Sequence, residues 1–99
     1  MEQKLRKEPL GKGYFVYVTD HHTFGTDAVL LSNFANARQK DKLVDLGTGC
    51  GIIPLLMLRD GKLSSAAGVD ISDEATTVAA KTVGEQNILN FKIINLKTK

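Results

Sequence analysis

The residues best suited to chemistry form one glycine-rich segment with an acid at its start, Asp45-Leu46-Gly47-Thr48-Gly49-Cys50-Gly51. A short apolar run precedes this segment and a longer one follows it, so the chain is predicted to turn sharply there from a strand into a helix. Glycines permit positive φ angles and let a ligand approach the backbone closely. The N–H groups at the start of the next helix attract polar or anionic groups. The segment therefore predicts a ligand site.

The spacing within this glycine loop, residues 47–51, narrows the class of ligand. The dinucleotide fingerprint G-x-G-x-x-G/A fails, because the sixth position counted from Gly47 is Ile52. A carboxylate at Asp45 would repel a pyrophosphate, but it suits a cofactor that carries an ammonium group. Asp70 ends the next predicted strand and can accept hydrogen bonds from both hydroxyls of a ribose. S-adenosylmethionine has both features. The alternative is a structural glycine turn and a plain helix-capping Asp70.

The elements that must position these acids alternate between strand and helix. We predict a strand over residues 43–46, a helix over 52–60, a strand over 66–70, a helix capped by Ser72 and a strand over 91–95. The inner face of the last helix is predicted to carry Ala75, Val78, Ala79, Thr82, Val83 and Gln86, and the outer face Thr76, Lys81 and Glu85. This order is typical of βαβ units and a parallel sheet. Three such strands leave an edge unpaired, so we expect the front piece of a larger domain, marginally stable or self-associating when alone.

The first half is predicted to hold a strand over residues 14–18, as one arm of a hairpin, and a helix over residues 27 to about 37. Thr26 would cap this helix, and its apolar face would carry Ala28, Leu31, Phe34 and Ala35.

Four groups of residues have two interpretations. We favour a turn over a metal site for His21-His22, and a small-residue requirement over a reactive thiol of lowered pKa for Cys50. We favour a solvated terminus over RNA contact for Lys4, Arg6, Lys7 and Lys12, and hairpin core over base stacking for Tyr14, Phe15 and Tyr17.

Length and composition exclude several other classes of protein. The chain has 99 residues, of which 42% are hydrophobic and 24% charged, which indicates one globular domain rather than a disordered segment. A single cysteine excludes a disulfide framework, and we predict no metal site. The longest apolar run, residues 52–58, is too short for a membrane span, and the charged start lacks a signal peptide, so we expect a cytoplasmic protein. The net charge of +2 permits a nucleic-acid partner without arguing for one.

At the glycine loop and at the end of the next predicted strand, the chain resembles the class I S-adenosylmethionine-dependent methyltransferases. The segment of residues 45–51 resembles their first motif, and Gly68-Val69-Asp70-Ile71 their second. The upstream stretch Phe24-Gly25-Thr26-Asp27-Ala28-Val29-Leu30-Leu31 is similar to the N-terminal segment of the bacterial valine-tRNA adenine-N6 methyltransferases. The resemblance covers residues 10–95. It implies an α/β, partial Rossmann-like methyltransferase fold: an N-terminal hairpin and helix over residues 1–41, then a cofactor-binding βαβαβ unit over 42–99, truncated.

The resemblance also implies roles for individual residues. Asp45 and the glycine loop, with Gly47, Thr48, Gly49 and Gly51, would face the methionine part of S-adenosylmethionine. Asp70 would hold the ribose and Ile71 would pack on the adenine. Thr26 and Asp27 would close over the methionine end. The substrate of this family is an adenine next to the anticodon of a tRNA.

Two departures from the family pattern affect the expected activity. The catalytic Asn-Pro-Pro-Tyr motif is absent, since neither Pro9 nor Pro54 belongs to one, and the acid expected after the third strand is replaced by a region around Asn95. We therefore assign no catalytic residue and expect a truncated chain or an interrupted gene, without methyl transfer by this polypeptide alone. Methyltransferases for ribosomal-RNA guanine or protein glutamine remain alternatives. A fragment of an NAD-dependent oxidoreductase and a non-catalytic remnant are further ones.

Overall fold

A computed structural model describes residues 4–34 and 41–97, in which two small sheets are joined by helices. The elements in chain order are β1 Arg6–Gly11, β2 Tyr14–Val18, α1 Thr26–Phe34, β3 Lys42–Leu46, α2 Ile52–Arg59, β4 Ser65–Asp70, α3 Asp73–Glu85 and β5 Phe91–Asn95. The predicted alternation of strand and helix in the second half is confirmed.

The second sheet is parallel, with strand order β3-β4-β5, as predicted. Its register places Leu43, Ala66 and Phe91 side by side on one face, and all three belong to or contact the hydrophobic core. The next positions along the strands point to the opposite face, because successive strand residues alternate. The carboxyl ends of β3 and β4 therefore lie at the same edge, with Asp45 and Asp70 on the core side.

Helix α2 supplies the centre of the core. Its sequence, IIPLLMLR, is apolar almost all round, and Ile52 and residues 54–58 are buried. Pro54 falls in the first turn, where its missing N–H group leaves no helical hydrogen bond unmade. The predicted burial of this helix is confirmed. No helix in the described part of the chain is long and apolar enough to cross a bilayer.

The face of the parallel sheet away from α2 and α3 is only partly covered. Val44 is 62% exposed and Leu46 is 76% exposed. An open cleft of about 350 Å³ runs over this face, and its lining includes Lys42, Val44, Ala67, Leu89 and Lys92. Parallel sheets are normally covered on both faces. The expectation of an incompletely covered sheet agrees with this arrangement.

The N-terminal hairpin packs on α3 and does not extend the parallel sheet. Val16 and Val18 are fully buried. Tyr14 and Tyr17 are partly buried and pack against the core, as favoured from the sequence, and Phe15 contacts the Tyr17 ring edge-on. The free edge of β2 is satisfied by α3: the Gln86 side chain hydrogen-bonds both backbone groups of Phe15, at 2.8 and 2.7 Å.

The basic residues of the N-terminal stretch lie in or next to strand β1, which pairs antiparallel with β2. Lys4, Lys7 and Lys12 are exposed, as favoured from the sequence, and three of the basic residues also have partners within the chain. Arg6 donates to Asp20 at 2.6 Å, Lys7 lies 4.1 Å from the centre of the Phe15 ring, and Lys12 lies 3.7 Å from Asp60.

Helix α1 differs from its prediction in start and in face. Thr26 is its first residue rather than its cap, because the Gly25 carbonyl already accepts the Ala28 N–H. The helix contacts the core through Ala28 and Val29, whereas Leu31 is 58% exposed. The predicted Leu31 face is therefore wrong. The predicted continuation through Ala35 to about residue 37 and the side chain of Phe34 lie outside the described residues.

Helix α3 begins as predicted at the Ser72 cap, whose hydroxyl oxygen accepts the Ala75 N–H at 3.1 Å. Its predicted inner face is confirmed at the buried positions Ala75, Val78, Ala79 and Thr82. Thr76, predicted on the outer face, is buried instead. Its hydroxyl donates to the Ser72 carbonyl and accepts a hydrogen bond from the side-chain amide of Asn95. This first turn lies directly beside the carboxyl edge of the sheet.

Candidate functional site

The glycine loop leaves β3 and crosses over the end of β4, to which its backbone is hydrogen-bonded. The N–H groups of Gly47 and Thr48 both donate to the Val69 carbonyl, at 2.7 and 3.0 Å, and Gly51 donates to the Thr48 carbonyl at 2.9 Å. Gly51 has a φ of +84°, and an added Cβ there would lie 3.3 Å from the Phe91 ring. The N–H groups of these three loop residues therefore donate within the chain.

Thr48 fits against the flat face of Gly68 on β4. A Cβ on Gly68 would lie 2.8 Å from the Thr48 Oγ1 and 2.9 Å from its Cγ2. The Thr48 side chain is itself buried, so it has no free space into which it can retreat. The absence of a side chain at Gly68 therefore sets how closely the loop approaches the sheet.

Asp45 is a half-buried carboxylate with one side-chain hydrogen-bond donor. The Thr48 hydroxyl donates to its Oδ2 at 2.9 Å. Burial raises the pKa of Asp45; the Thr48 hydrogen bond opposes this rise, and the nearby Asp70 charge adds to it. A carboxylate in this situation gains from a positive charge placed beside it.

Asp70 has the opposite electrostatic character. Its Oδ2 accepts the Gly49 N–H at 3.0 Å and its Oδ1 accepts the Ser72 N–H at 2.9 Å. Burial alone would raise the pKa of Asp70, but these backbone hydrogen bonds outweigh it and hold the pKa below the ordinary value. Asp70 is therefore an ionised group at neutral pH that fastens the glycine loop to the start of α3.

The fold and this geometry agree with a family match. The model of the family described as methyltransferase small domain matches residues 13–97, which is most of the chain. The chain belongs to this family.

Individual relatives of this methyltransferase small domain point the same way. The chain is 36% identical over 69 residues to a tRNA1(Val) (adenine(37)-N6)-methyltransferase of Pasteurella multocida. The match covers 65% of this chain and 29% of that protein, so the chain spans less than a third of the relative's length. The structure also resembles the M. jannaschii tRNA m1G37 methyltransferase, with a TM-score of 0.66 and 16% identity over 99% of this chain and 31% of that one.

A third comparison concerns a structure that holds a ligand. M. capricolum TrmK, solved in complex with S-adenosyl-homocysteine, matches 79% of this chain and 33% of its own length. The TM-score is 0.61 and the identity is 17%. At this identity the likeness establishes the fold alone, and it agrees with the α/β class predicted from the sequence.

The methyltransferase small domain brings together some of the predicted site residues and leaves others apart. Asp45, Thr48, Gly49 and Asp70 form one hydrogen-bonded cluster with the ends of β3 and β4. Ile71 follows directly and is 72% exposed. Thr26 and Asp27 are exposed at the start of α1, and no hydrogen bond or ion pair of the described residues joins their side chains to the loop.

Two of the secondary candidates near the site can be judged from the structure. Residues 19–22 form a turn, in which the backbone groups of Thr19 and His22 bond each other, as favoured from the sequence. Cys50 is buried, and burial raises its pKa to about 11, so it lacks the lowered pKa of a reactive thiol. No cluster of three or more potential metal ligands occurs in the described ranges.

Sequence reasoning missed three contacts that shape the site. They are the fit of Thr48 onto Gly68, the Gly49–Asp70 hydrogen bond and the contact of Glu74 with the turn at residues 19–22. The glycine at position 68 within a predicted strand was a usable signal, since a strand glycine often marks a close approach. The other two contacts join distant segments and have no local signature.

Proposed function

We propose that this chain is the S-adenosylmethionine-binding portion of a methyltransferase that acts on the N6 atom of an adenine in tRNA. The supporting observation is the pair of carboxylates at neighbouring strand ends, joined through the glycine loop. Asp45 would receive the ammonium group of the methionine end, and Asp70 would receive the ribose hydroxyls. The carboxyl edge of a parallel sheet is where ligands of such folds bind.

The residues present fit this cofactor. A carboxylate can accept about four hydrogen bonds. The structure gives Asp70 two donors from its own backbone, which leaves capacity for the two hydroxyls of a ribose. The raised pKa of Asp45 means that an ammonium group would relieve an existing electrostatic cost. The exposed Ile71 offers an apolar surface to a flat base directly after the ribose-binding acid.

The choice of tRNA adenine as substrate is supported by the curated relatives, which carry that activity in their names. It is also supported by the stretch of residues 24–31, which is similar to the N-terminal segment of that family. We expect the chain to act in the cytoplasm, where tRNA is modified. The partner that we propose for a complete enzyme of this kind is tRNA.

Methyl transfer itself is not expected of these 99 residues. An adenine amine is a poor nucleophile, because its lone pair is conjugated with the ring, and positioning carries much of the rate of such a displacement. The family motif that would hold the amine, Asn-Pro-Pro-Tyr, does not occur in the sequence. We expect no incorporation of label from S-adenosylmethionine into bulk tRNA by this polypeptide, and incorporation above background would contradict this.

Calorimetric titration tests the proposed binding. The 99-residue chain is expected to bind S-adenosylhomocysteine and not NAD. Asp70→Ala is expected to weaken this binding roughly 10- to 100-fold, because hydrogen bonds to a charged group contribute about 1.5–3 kcal/mol each. Asp60→Ala is the matched control, since Asp60 lies at the end of α2 in a pair with Arg59 and is expected to leave the affinity unchanged.

Two results would overturn the proposed function. One is binding of NAD without binding of S-adenosylhomocysteine, which would favour the oxidoreductase alternative. The other is a native, folded chain that binds neither ligand, which would favour a non-catalytic remnant. Equal losses from Asp70→Ala and Asp60→Ala would show that the effect is one of general stability rather than of the site.

A further inference from the structure

The turn at residues 19–22 is fastened to the first turn of α3 by one carboxylate. The Thr19 hydroxyl donates to Glu74 Oε1 at 3.1 Å, and the His22 Nε2 lies 3.8 Å from the same oxygen. Thr19 is 2% exposed and its oxygens accept the His22 N–H. Glu74 therefore contacts both ends of the turn.

This fastening lies beside the proposed ribose-binding acid. Glu74 belongs to the first turn of α3, which follows Asp70 through the Ser72 cap. His22 is close enough to Asp70 for its positive charge to help lower the pKa of that carboxyl. The charged groups that face His22 are thus Glu74 from α3 and Asp70 from the end of β4. Asp20, within the turn, is paired with Arg6 of β1.

The two adjacent histidines differ in their exposure and in their charged neighbours. The side chain of His22 is 20% exposed, and its Nε2 lies 3.8 Å from the Glu74 carboxylate, whereas His21 is exposed and makes no ion pair with the described residues. A protonated imidazole at His22 would pair with Glu74 and place a positive charge near Asp70. The turn also leads into residues 23–27, so its anchoring sets where the segment before α1 begins.

We infer that His22 is a positioning residue of the cofactor site, which with Glu74 holds the turn of residues 19–22 beside Asp70 and strengthens cofactor binding when protonated. The inference rests on the proposed function, because it concerns the same site. It adds the turn of residues 19–22 to a site otherwise formed by the glycine loop, Asp45 and Asp70. It assigns no role in the chemical step to His22.

The test is the dissociation constant of S-adenosylhomocysteine for the full chain, measured between pH 5.5 and pH 8 because histidine side chains in general change charge in this range. The wild type is expected to bind about threefold more weakly at pH 8 than near pH 6, the size expected of one partly exposed ion pair. His22→Gln and Glu74→Gln are each expected to abolish this pH dependence. Both variants should bind S-adenosylhomocysteine at every pH with the affinity that the wild type shows at pH 8. Protonation of Asp45 acts in the opposite sense and is common to all variants.

His21→Gln is the matched control, expected to follow the wild-type pH profile. The double variant His22→Gln/Glu74→Gln should lose no more affinity than either single variant, because both remove the same contact. Thermal melting confirms that each variant is folded, and Glu74→Gln tests the contact independently if His22→Gln does not fold.

The outcomes separate this inference from the proposed function. If the wild type binds and Asp70→Ala does not, but His22→Gln keeps the wild-type pH profile, the inference fails and the proposed function stands. A change in His21→Gln equal to that in His22→Gln also overturns the inference. If the folded wild type does not bind S-adenosylhomocysteine at any pH, both fail together.

Discussion

The ends of β3 and β4 carry the same residue type at the same edge of the sheet, yet their carboxylates differ in electrostatic state. Asp70 accepts two backbone N–H groups, one from the glycine loop and one from the start of α3. Asp45 accepts one side-chain hydroxyl and faces the charge of Asp70. The pKa of Asp70 is consequently lowered and that of Asp45 is raised.

The difference shows how one loop can hold a compensated and an incompletely compensated acid side by side. The negative charge of Asp70 is compensated within the chain, so it stabilises the folded loop and stays ionised. The charge of Asp45 is incompletely compensated, which costs stability and leaves a place for an external cation. Groups that are poorly compensated in a folded protein are often those that bind a ligand.

Gly68→Ala is expected to have the largest effect on this comparison, because it disturbs Thr48, which donates to Asp45 and precedes the Gly49 that donates to Asp70. The new Cβ would lie 2.8 Å from the Thr48 Oγ1 and push that side chain away from Asp45. Overpacking of this kind costs about 1–3 kcal/mol in the free energy of unfolding. Urea denaturation followed by circular dichroism measures the change.

Gly84→Ala is the matched control for that substitution. Gly84 lies within α3, and a Cβ there would meet nothing within 4 Å. The same chemical change is expected to stabilise the chain by about 0.5–1 kcal/mol, because alanine favours a helix over glycine. A loss of stability in both variants would refute the idea that close contact with Thr48 is the cause.

Much of the scaffold behind this comparison could be predicted from the sequence. Short, mainly apolar runs that contain Asp45 and end in Asp70 predicted two parallel strands, and βαβ connectivity puts their carboxyl ends at one edge. The glycine loop and the Ser72 cap have local signatures, and both were found where they were predicted.

The opposite electrostatic states of the two acids could not be predicted from the sequence. They depend on which backbone N–H groups reach each carboxylate, and Gly49 reaches Asp70 only through the crossing of the loop over β4. The same limitation explains the error at Leu31. Helical spacing gives several possible apolar faces, and the packing of α1 on α2 through Ala28 and Val29 decides among them.

Asp70→Asn and Asp45→Asn are expected to change stability in opposite directions at pH 7. An amide at position 70 offers one acceptor oxygen where two N–H groups need acceptors, so Asp70→Asn should lose about 1 kcal/mol. Asp45→Asn keeps an acceptor for the Thr48 hydroxyl and removes a poorly compensated charge, so it should gain up to about 0.5 kcal/mol. The midpoint and slope of urea unfolding give both values, and equal losses in the two variants would contradict the comparison.

The smallest expected effect is the change of these differences with pH. Because the folded pKa of Asp70 is lowered, its stabilisation is fully present above its unfolded pKa, about 3.9, and is lost as the pH falls through the folded value. The gap between wild type and Asp70→Asn should therefore narrow below about pH 4. The raised folded pKa of Asp45 means that its carboxylate costs stability above that value and ceases to do so below the unfolded one.

The higher free energy of unfolding expected for Asp45→Asn should accordingly disappear as the pH is lowered. The stabilities of both variants should then approach that of the wild type, Asp45→Asn from above and Asp70→Asn from below. Urea unfolding of the three proteins between pH 7 and pH 3.5 measures this, with the other titrating groups cancelling in the differences. Parallel pH curves for wild type and Asp70→Asn would show that the Gly49 and Ser72 hydrogen bonds do not depend on the charge. In that case the loop would be held by packing of Thr48 on Gly68 rather than by the carboxylate.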